Sequence, residues 1–454
     1  MMGISILKII NEIAIIYLGM GISILIIYGL WKGKNREYID VEIGGIIIII
    51  MTLLLSNNII QTLGLILGLI INILGYSIMG KKEKIVDGIR KWELPILKLF
   101  VILGFLIIIS AKDFLYLYIG IESISLTFYL LAGIRTGGVQ QEASLKYFIL
   151  GSLGSGLLLF GIVWIYKETG SIDYIEINNI LDNKIGPIFI IISLLLKMAA
   201  APLHMWAPDV YEGSPTYITA IFAMYPKLVY LYTIYDLIIG AFYNYQDLIS
   251  NILMISGLLS ITVGSIAAIN QTNFKRFIAY SGISHTGWTL LGLSTFSDIG
   301  LVASFIYLII YYIMSINTFG VILSFPVFNI SHLIGFFKNH PFFGSLLTLN
   351  LMSMSGIPPL FGFVSKFFIL YALYISNNFF IALVALAISI VGAYNYIRII
   401  KNMAFMPSKF TAPDTFALPL SLSLSLLLAI SSWFTLTGIY LTYPLLSLLI
   451  NSLF

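Results

Sequence analysis

Four ionisable residues stand near the middle of long apolar stretches: Glu122, Lys197, Lys227 and Lys366. A charge at the centre of a bilayer costs ~2.5–3.5 kcal/mol on insertion scales, so each calls for a reason. Structural ion pairing is the bland one. One carboxylate can neutralise one lysine, yet three lysines here share a single central glutamate. Removal from water disfavours the charged form, which equips such a set to exchange protons, and a proton relay is the chemistry these types and positions suggest. His285 joins the candidates because Tyr280, Ser281, Ser284 and Thr286 give its segment a polar stripe; a packed, hydrogen-bonded histidine is the competing reading. Lys146, with Ser144, Tyr147 and Ser152 nearby, is a lesser candidate whose stripe could face a bundle interior. His204 could equally transfer a proton or satisfy a freed backbone group. Lys98 lies about one turn inside a basic face and is expected to snorkel to the headgroups. Glu12 and Asp236, near span ends, are expected to be solvated, and His332 and His340 receive no role.

Two of the charged segments also carry helix-breaking residues. Lys197 is followed by small residues and Pro202; Lys366 is preceded by Ser353-Met354-Ser355-Gly356-Ile357-Pro358-Pro359. Proline removes an intrahelical hydrogen bond and frees a carbonyl. In lipid that carbonyl must find a partner or line a wet cavity, and discontinuous helices beside ionisable residues are how transporters build midplane ion sites. A plain kink explains either break alone; two breaks, each with a lysine beside it, favour a site.

The elements that position these residues follow from composition. Of 454 residues, 59% are hydrophobic and 10% charged, against roughly 25% charged in a soluble domain, which excludes a soluble globular enzyme. Stretches long enough to cross a ~30 Å core recur fourteen times, from Ile9–Leu30 to Phe416–Ile450, predicting an all-α polytopic membrane protein. The second span, Ile43–Leu55, is short, and the last is long enough to split in two. The first ends in Lys32, Lys34 and Arg36 and lacks a small-residue cleavage site, so it is a span and not a signal peptide. Of the 24 Lys and Arg, fifteen fall in loops after odd-numbered spans, four on the opposite side and five inside spans. Positive charge concentrates on the non-translocated face, so both termini are expected on the translocated face and loops such as Gly80–Glu93 on the other.

The breaks at Pro202 and Pro359 lie 157 residues apart by number, each followed by aromatics. Spans four to eight would then answer to spans nine to thirteen. An odd number of spans separates the copies, which implies an inverted five-helix repeat. The expected organisation is an N-terminal three-helix segment (1–94), a first repeat (95–245), a second repeat (246–402) and a C-terminal helix (403–454), with the seventh and twelfth helices broken. Zero cysteines and four scattered histidines make disulfides, iron–sulfur clusters and a zinc or haem site unexpected. Gly64–Gly68 and Gly151–Gly156 suit helix packing and lack the strand–turn–helix context of a nucleotide loop. No cofactor, metal, nucleic acid or soluble substrate is expected on this chain.

At these residues the chain resembles the antiporter-like membrane subunits of respiratory complex I, the NADH–ubiquinone oxidoreductase chain 2 family and its bacterial NuoN-type counterparts. The resemblance runs from the fourth span to the thirteenth. It is most specific over Lys197–Thr216, particularly His204-Met205-Trp206-Ala207-Pro208-Asp209-Val210-Tyr211-Glu212-Gly213-Ser214-Pro215-Thr216, and extends to Phe274–His285 and Ser355–Lys366. It implies that Glu122 modulates Lys197, that Lys227 is a linking lysine and that Lys366 is the terminal one. Lys366 differs from the glutamate of another family member, and the chain stops at Phe454 without the lateral helix of the distal member. The fourteen-helix plan departs from the shortened animal version.

What the resemblance implies is proton translocation along Glu122, Lys197, Lys227, His285 and Lys366, coupled to NADH:ubiquinone electron transfer in partner subunits, with no redox chemistry in this chain. Partners would be other membrane-arm subunits, including a second antiporter-like chain, and lipids. Abundant Ile, Asn, Phe and Tyr suit an AT-rich organelle gene, which favours the mitochondrial inner membrane, with both termini on the intermembrane-space side, over a bacterial plasma membrane. The rival functions are a subunit of a multisubunit Na⁺/H⁺ antiporter and a structural membrane chain that conducts nothing.

Overall fold

The computed structural model describes residues 2–32, 38–56, 59–79, 92–134, 137–325, 327–406 and 422–453. Nine of the basic residues used for topology, Lys34, Arg36, Lys81, Lys82, Lys84, Arg90, Lys91, Arg135 and Lys409, lie outside them. Among the described residues the elements are helical, as apolar segments in lipid must be to satisfy their own backbone. In chain order they are α1 (Met2–Lys32), α2 (Tyr38–Leu54), α3 (Ile59–Met79), α4 (Glu93–Ser110), α5 (Phe114–Ala132), α6 (Gly138–Thr169), α7 (Tyr174–Ile180), α8 (Ile185–Lys197), α9 (Trp206–Gly213) and α10 (Thr216–Ile239). There follow α11 (Gln246–Ala267), α12 (Phe274–Leu293), α13 (Asp298–Ser324), α14 (Phe336–Asn339), α15 (Pro341–Ser355), α16 (Phe361–Ile375), α17 (Phe379–Ala404), α18 (Leu422–Thr437) and α19 (Thr442–Leu453).

Among the described residues eight helical segments are long and apolar enough to cross a membrane, and Ile59–Gly75, Ile185–Lys197 and Phe361–Ile375 are shorter apolar ones. The two proline segments are interrupted: α8 stops at Lys197 and α9 resumes at Trp206, while α15 stops at Ser355 and α16 resumes at Phe361. The C-terminal segment divides at a 3-10 turn, Gly438–Leu441, between α18 and α19.

The helices form two compact units. The first comprises Met1–Lys197 and Gly213–Tyr245; the second comprises Met198–Glu212 and Gln246–Phe454. In the first, α4 and α5 cross closely because a Cβ on Gly104 would stand 2.9 Å from the Gly120 carbonyl oxygen. Phe105, Phe128 and Phe222 fill the space beside them, with Phe105 edge-on to Tyr225 and Phe128 edge-on to Phe222. In the second, a Cβ on Gly287 would stand 2.6 Å from the Gly257 carbonyl, so α11 and α12 pack equally closely. Ile261, Trp288, Leu291, Tyr307, Ile369 and Leu373 form its apolar centre.

A matched device opens one helix in each unit. Asp113 caps α5 by accepting from the Tyr116 N–H, while Phe114 N–H donates to the Ile172 carbonyl and Tyr174 N–H to the Lys112 carbonyl. Asn273 caps α12 by accepting from the Lys275 N–H, while Phe274 N–H donates to the Phe328 carbonyl and Ile330 N–H to the Thr272 carbonyl. A side-chain acceptor at the cap and a short extended bridge thus satisfy donors that the first helical turn leaves open.

Lys98 departs from its expected place. It is 2% exposed and forms an ion pair with Glu42, itself 0% exposed. The cause is the start of α2 at Tyr38, earlier than the apolar run alone suggests, which carries Glu42 inside the helix against α4. Removing one partner strands a buried charge, at a cost of about 3–5 kcal/mol. Glu42→Gln and Lys98→Met are each expected to lower the thermal midpoint of the purified protein sharply, whereas the double variant restores most of it; equal loss in all three would show that the pair is not what joins α2 to α4.

Candidate functional site

Lys197 is the last residue of α8, and its ammonium is taken up by neighbours on two other helices of the same unit. Its Nζ donates to Ser125 Oγ on α5 and Ser155 Oγ on α6, both at 2.9 Å, and stands 3.9 Å from Glu122 Oε1. Each serine spends its own hydroxyl hydrogen on the carbonyl one turn back, Ser125 on Ile121 and Ser155 on Gly151. With one donor per hydroxyl, both oxygens are left to accept from the lysine. A third hydroxyl, Ser193 on α8, donates to the Gly154 carbonyl at 2.6 Å and fixes α8 against α6. Gly154 admits this contact: a Cβ there would lie 3.1 Å from Leu196 and 3.8 Å from the Lys197 stem. Glu122 is 22% exposed against 4% for Lys197, and at 3.9 Å the carboxylate attracts the ammonium without a hydrogen bond of normal length.

The chain that follows Lys197 belongs to the second unit. Ala199 takes a left-handed conformation, φ 59°, which costs a non-glycine residue about 1–2 kcal/mol. Hydroxyls of α11 hold the strained segment: Ala201 N–H donates to Ser260 Oγ and Ser256 Oγ donates to the Ala201 carbonyl, both at 2.8 Å. His204 is 9% exposed, with Nδ1 3.2 Å from the Pro202 carbonyl oxygen. A carbonyl only accepts, so this nitrogen carries the hydrogen and satisfies the break. Asp209 and Glu212 on α9 bind Arg276 of α12 at 3.1 and 2.8 Å, and Asn273 Nδ2 donates to Glu212 at 2.9 Å. The acidic residues of the Lys197–Thr216 motif therefore tie the resumed helix to the start of α12.

Lys366 on α16 donates to the Ser355 carbonyl at 2.7 Å and the Met354 carbonyl at 3.3 Å, at the end of α15. The last carbonyls of a helix lack intrahelical donors and carry the negative end of its dipole, so the break supplies the acceptors that this cation needs. Gly356 closes α15 at φ 85°, and a Cβ there would come within 3.0 Å of Lys366 Nζ. On α12, Trp288 presents its ring to the same ammonium, 5.9 Å from the centroid. One turn earlier His285, 4% exposed, places Nδ1 2.7 Å from the Tyr307 hydroxyl and Nε2 3.2 Å from the Tyr396 hydroxyl. Ser281 also bonds Tyr396. A tyrosine hydroxyl can donate or accept, so both neutral tautomers of His285 are accommodated without rearrangement. A small cavity, with room for about one water, is lined by Ser281, His285, Trp288, Lys366, Asn395 and Tyr396 among others. The structure thus brings His285 and Lys366 to one space.

Lys227 lies in α10, 4% exposed, directly after Pro226. Pro358 and Pro359 sit in the turn between α15 and α16, and Pro202 in that between α8 and α9. Lys146 does not join the buried set. Its side chain is 43% exposed and pairs with Glu142 at 2.8 Å along α6, while Tyr147 is buried and Ser144 donates to the Tyr129 carbonyl, so the stripe turns inward without the lysine. Sequence reasoning missed Ser125, Ser155, Tyr307, Tyr396 and the Glu42–Lys98 pair. Serines one turn after Glu122 and one helix away were a signal available in the polar pattern; the tyrosines, among 28 in the chain, were not distinguishable.

Residues 111–392 match the family described as NADH:quinone oxidoreductase/Mrp antiporter, TM. The chain belongs to this family. It is 38% identical over 353 residues to NADH-quinone oxidoreductase subunit N of Rhodospirillum rubrum, covering 75% of this chain and 72% of that protein. To the subunit N of Pelagibacter ubique it is 36% identical over 420 residues, 87% of this chain and 89% of that one. Its fold is like that of a chain in the structure of respiratory complex I from Thermus thermophilus, with a TM-score of 0.78 at 22% identity over 95% of this chain and 98% of the other. Glu122, Ser125, Ser155 and Lys197, and likewise His285, Trp288, Ser355 and Lys366, lie within the matched family span, while Asn395 and Tyr396 lie just beyond it.

Hydrogen bonds to charged groups contribute about 1.5–3 kcal/mol each. Ser155→Ala is therefore expected to leave the complex assembled but with a measurably lower thermal midpoint, and Ser125→Ala likewise. A double variant as stable as the parent would show that the serines do not hold Lys197.

Proposed function

We propose that this chain is the antiporter-like, NuoN-type membrane subunit of a proton-translocating NADH:quinone oxidoreductase. The observation that carries the reading is a pair of buried lysines, each at a broken helix and each supplied with a polar surround: Lys197 with Glu122 and two serines, Lys366 with freed carbonyls and a cavity shared with His285. Subunit N relatives at 36–38% identity favour the oxidoreductase over a Na⁺/H⁺ antiporter.

In this proposal Glu122 sets the proton affinity of Lys197. At 3.9 Å the two attract without being locked, so a small movement of the carboxylate toward or away from the ammonium changes how firmly the proton is held. Coulomb energy varies as the inverse of distance and is amplified where water is excluded. The proton passes from Lys197 to Lys227, then through His285 to Lys366. Each proton moved against the membrane potential costs about 2.3 kcal/mol per 100 mV, so the energy comes from quinone reduction in partner subunits. Those partners include other membrane-arm subunits and a second antiporter-like chain, with lipid around the rest.

The five-helix segments 95–245 and 246–402 are proposed as copies of one plan. The matched caps and bridges at Asp113 and Asn273 support this, as do the broken helices beside Lys197 and Lys366. For location we propose the mitochondrial inner membrane with both termini on the intermembrane-space side. Composition and the basic-residue asymmetry support it; the bacterial relatives support a plasma membrane as the alternative.

Lys197→Ala is expected to leave assembly intact on a native gel while proton pumping in membrane vesicles falls by about tenfold or more, a barrier increase of ~1.4 kcal/mol. Normal pumping at normal electron transfer would overturn the relay.

A further inference from the structure

The cavity in the second unit contains an unmet demand. Asn395 on α17 is 2% exposed; its Nδ2 donates to the Ser265 carbonyl on α11 at 2.7 Å, while its Oδ1, also buried, has no hydrogen-bond partner among the described residues. A buried amide oxygen left dry is costly, and such groups in folded proteins are met by protein or by ordered water. Asn395 lines the same cavity as Tyr396, His285 and Lys366, and that space is roomy and polar enough to hold at least one water. At Gly392, one turn before Tyr396, a Cβ would already touch Ser265 Oγ at 3.4 Å, so α17 and α11 approach closely beside the cavity.

We propose that Asn395 and Tyr396 hold a resident water in this cavity, and that the water completes the hydrogen-bonded connection between His285 and Lys366. The inference rests on the relay reading above and gives that relay two positioning residues it did not include. The chemistry balances without any other reactant. An imidazolium at His285 gives its Nε2 proton to the Tyr396 oxygen as the tyrosine hydroxyl passes its own to the water. The water in turn passes one of its protons to a neutral Lys366 amine. Tyrosine and water end as they began, histidine ends neutral and lysine ends charged. Asn395 Oδ1 accepts one hydrogen of the water, which leaves its lone pairs free for Tyr396 and its second hydrogen for Lys366. The cavity offers hydroxyls and an amide but no carboxylate, a lining that suits a neutral water beside an ammonium and not a metal cation.

The test uses the assembled complex in membrane vesicles and in a high-resolution electron cryomicroscopy map. The parent complex is expected to show a water within hydrogen-bond distance of Asn395 Oδ1. Asn395→Leu, which removes the acceptor and fills the space, is expected to lose that water and lower protons pumped per NADH oxidised by about tenfold, with a larger solvent deuterium isotope effect on what remains. Asn395→Ser keeps an acceptor and is expected to retain most pumping. Tyr396→Phe, a smaller change to packing, is expected to impair pumping as Asn395→Leu does. A dry cavity in the parent map, full pumping in Asn395→Leu or Tyr396→Phe, or a serine variant as impaired as the leucine one would overturn the water site. Lys366→Ala separates the two ideas: unchanged pumping there defeats the relay itself, whether or not water occupies the cavity.

Discussion

A charge inside a membrane-spanning helix must recover from protein what it would have had from water, and the protein meets that constraint in three different ways. Lys98 receives a full countercharge, Glu42, in a pair that excludes solvent. Lys197 receives two serine oxygens and a carboxylate held at a distance. Lys366 receives the open carbonyls of a helix end. The differences matter chemically. A tight pair has little reason to give up its proton, because either neutral partner would be left facing a charge or an empty site. A lysine among neutral acceptors can lose its proton and leave behind groups that were never charged. By this criterion Lys366 suits proton exchange and Lys98 suits anchoring, while Lys197 stands between them, hydrogen-bonded to neutral serines with its carboxylate 3.9 Å away.

The helix breaks follow from the same constraint. An interior helix carbonyl already accepts from the backbone and has one lone pair to spare, whereas the last carbonyls of a helix have no intrahelical donor at all. Ending α15 at Ser355 releases two, and Gly356 lets the chain turn while leaving room for the Lys366 stem. At the other break the released groups are claimed by Ser256, Ser260 and His204, so Lys197 relies on side chains instead. Two breaks that look alike in sequence thus serve different purposes: one supplies the lysine directly, the other redirects the chain.

Much of this was legible in the sequence because membrane burial turns apolar length into helix and makes each interior charge conspicuous. Glu122, Lys197, Lys227, Lys366, His285 and both breaks stand out for that reason. What the sequence did not disclose depends on rotation about helix axes and on contacts between distant segments. Lys98 and Glu42 lie 56 residues apart, and the apolar run that marks the second span begins just after the glutamate. Lys146 and Tyr147 are neighbours on α6, yet one is exposed and the other buried; periodicity locates the stripe without saying which edge faces inward. Asn395 and Tyr396 read as ordinary polar residues near a helix end until α11 and α12 are brought beside them.

The segment Met198–Glu212 belongs to the second compact unit, where Ser256 and Ser260 hold Ala201 and where Asp209 and Glu212 hold Arg276 at the start of α12. Two carboxylates on one short helix share a single guanidinium, and Asn273, the residue that caps α12, donates to one of them. The cap of α12 and the resumed helix α9 are therefore fixed by the same small set of charges. That gives a reason for acidic residues in a motif otherwise dominated by helix-breaking and aromatic ones: they secure α9 to the helix that carries His285.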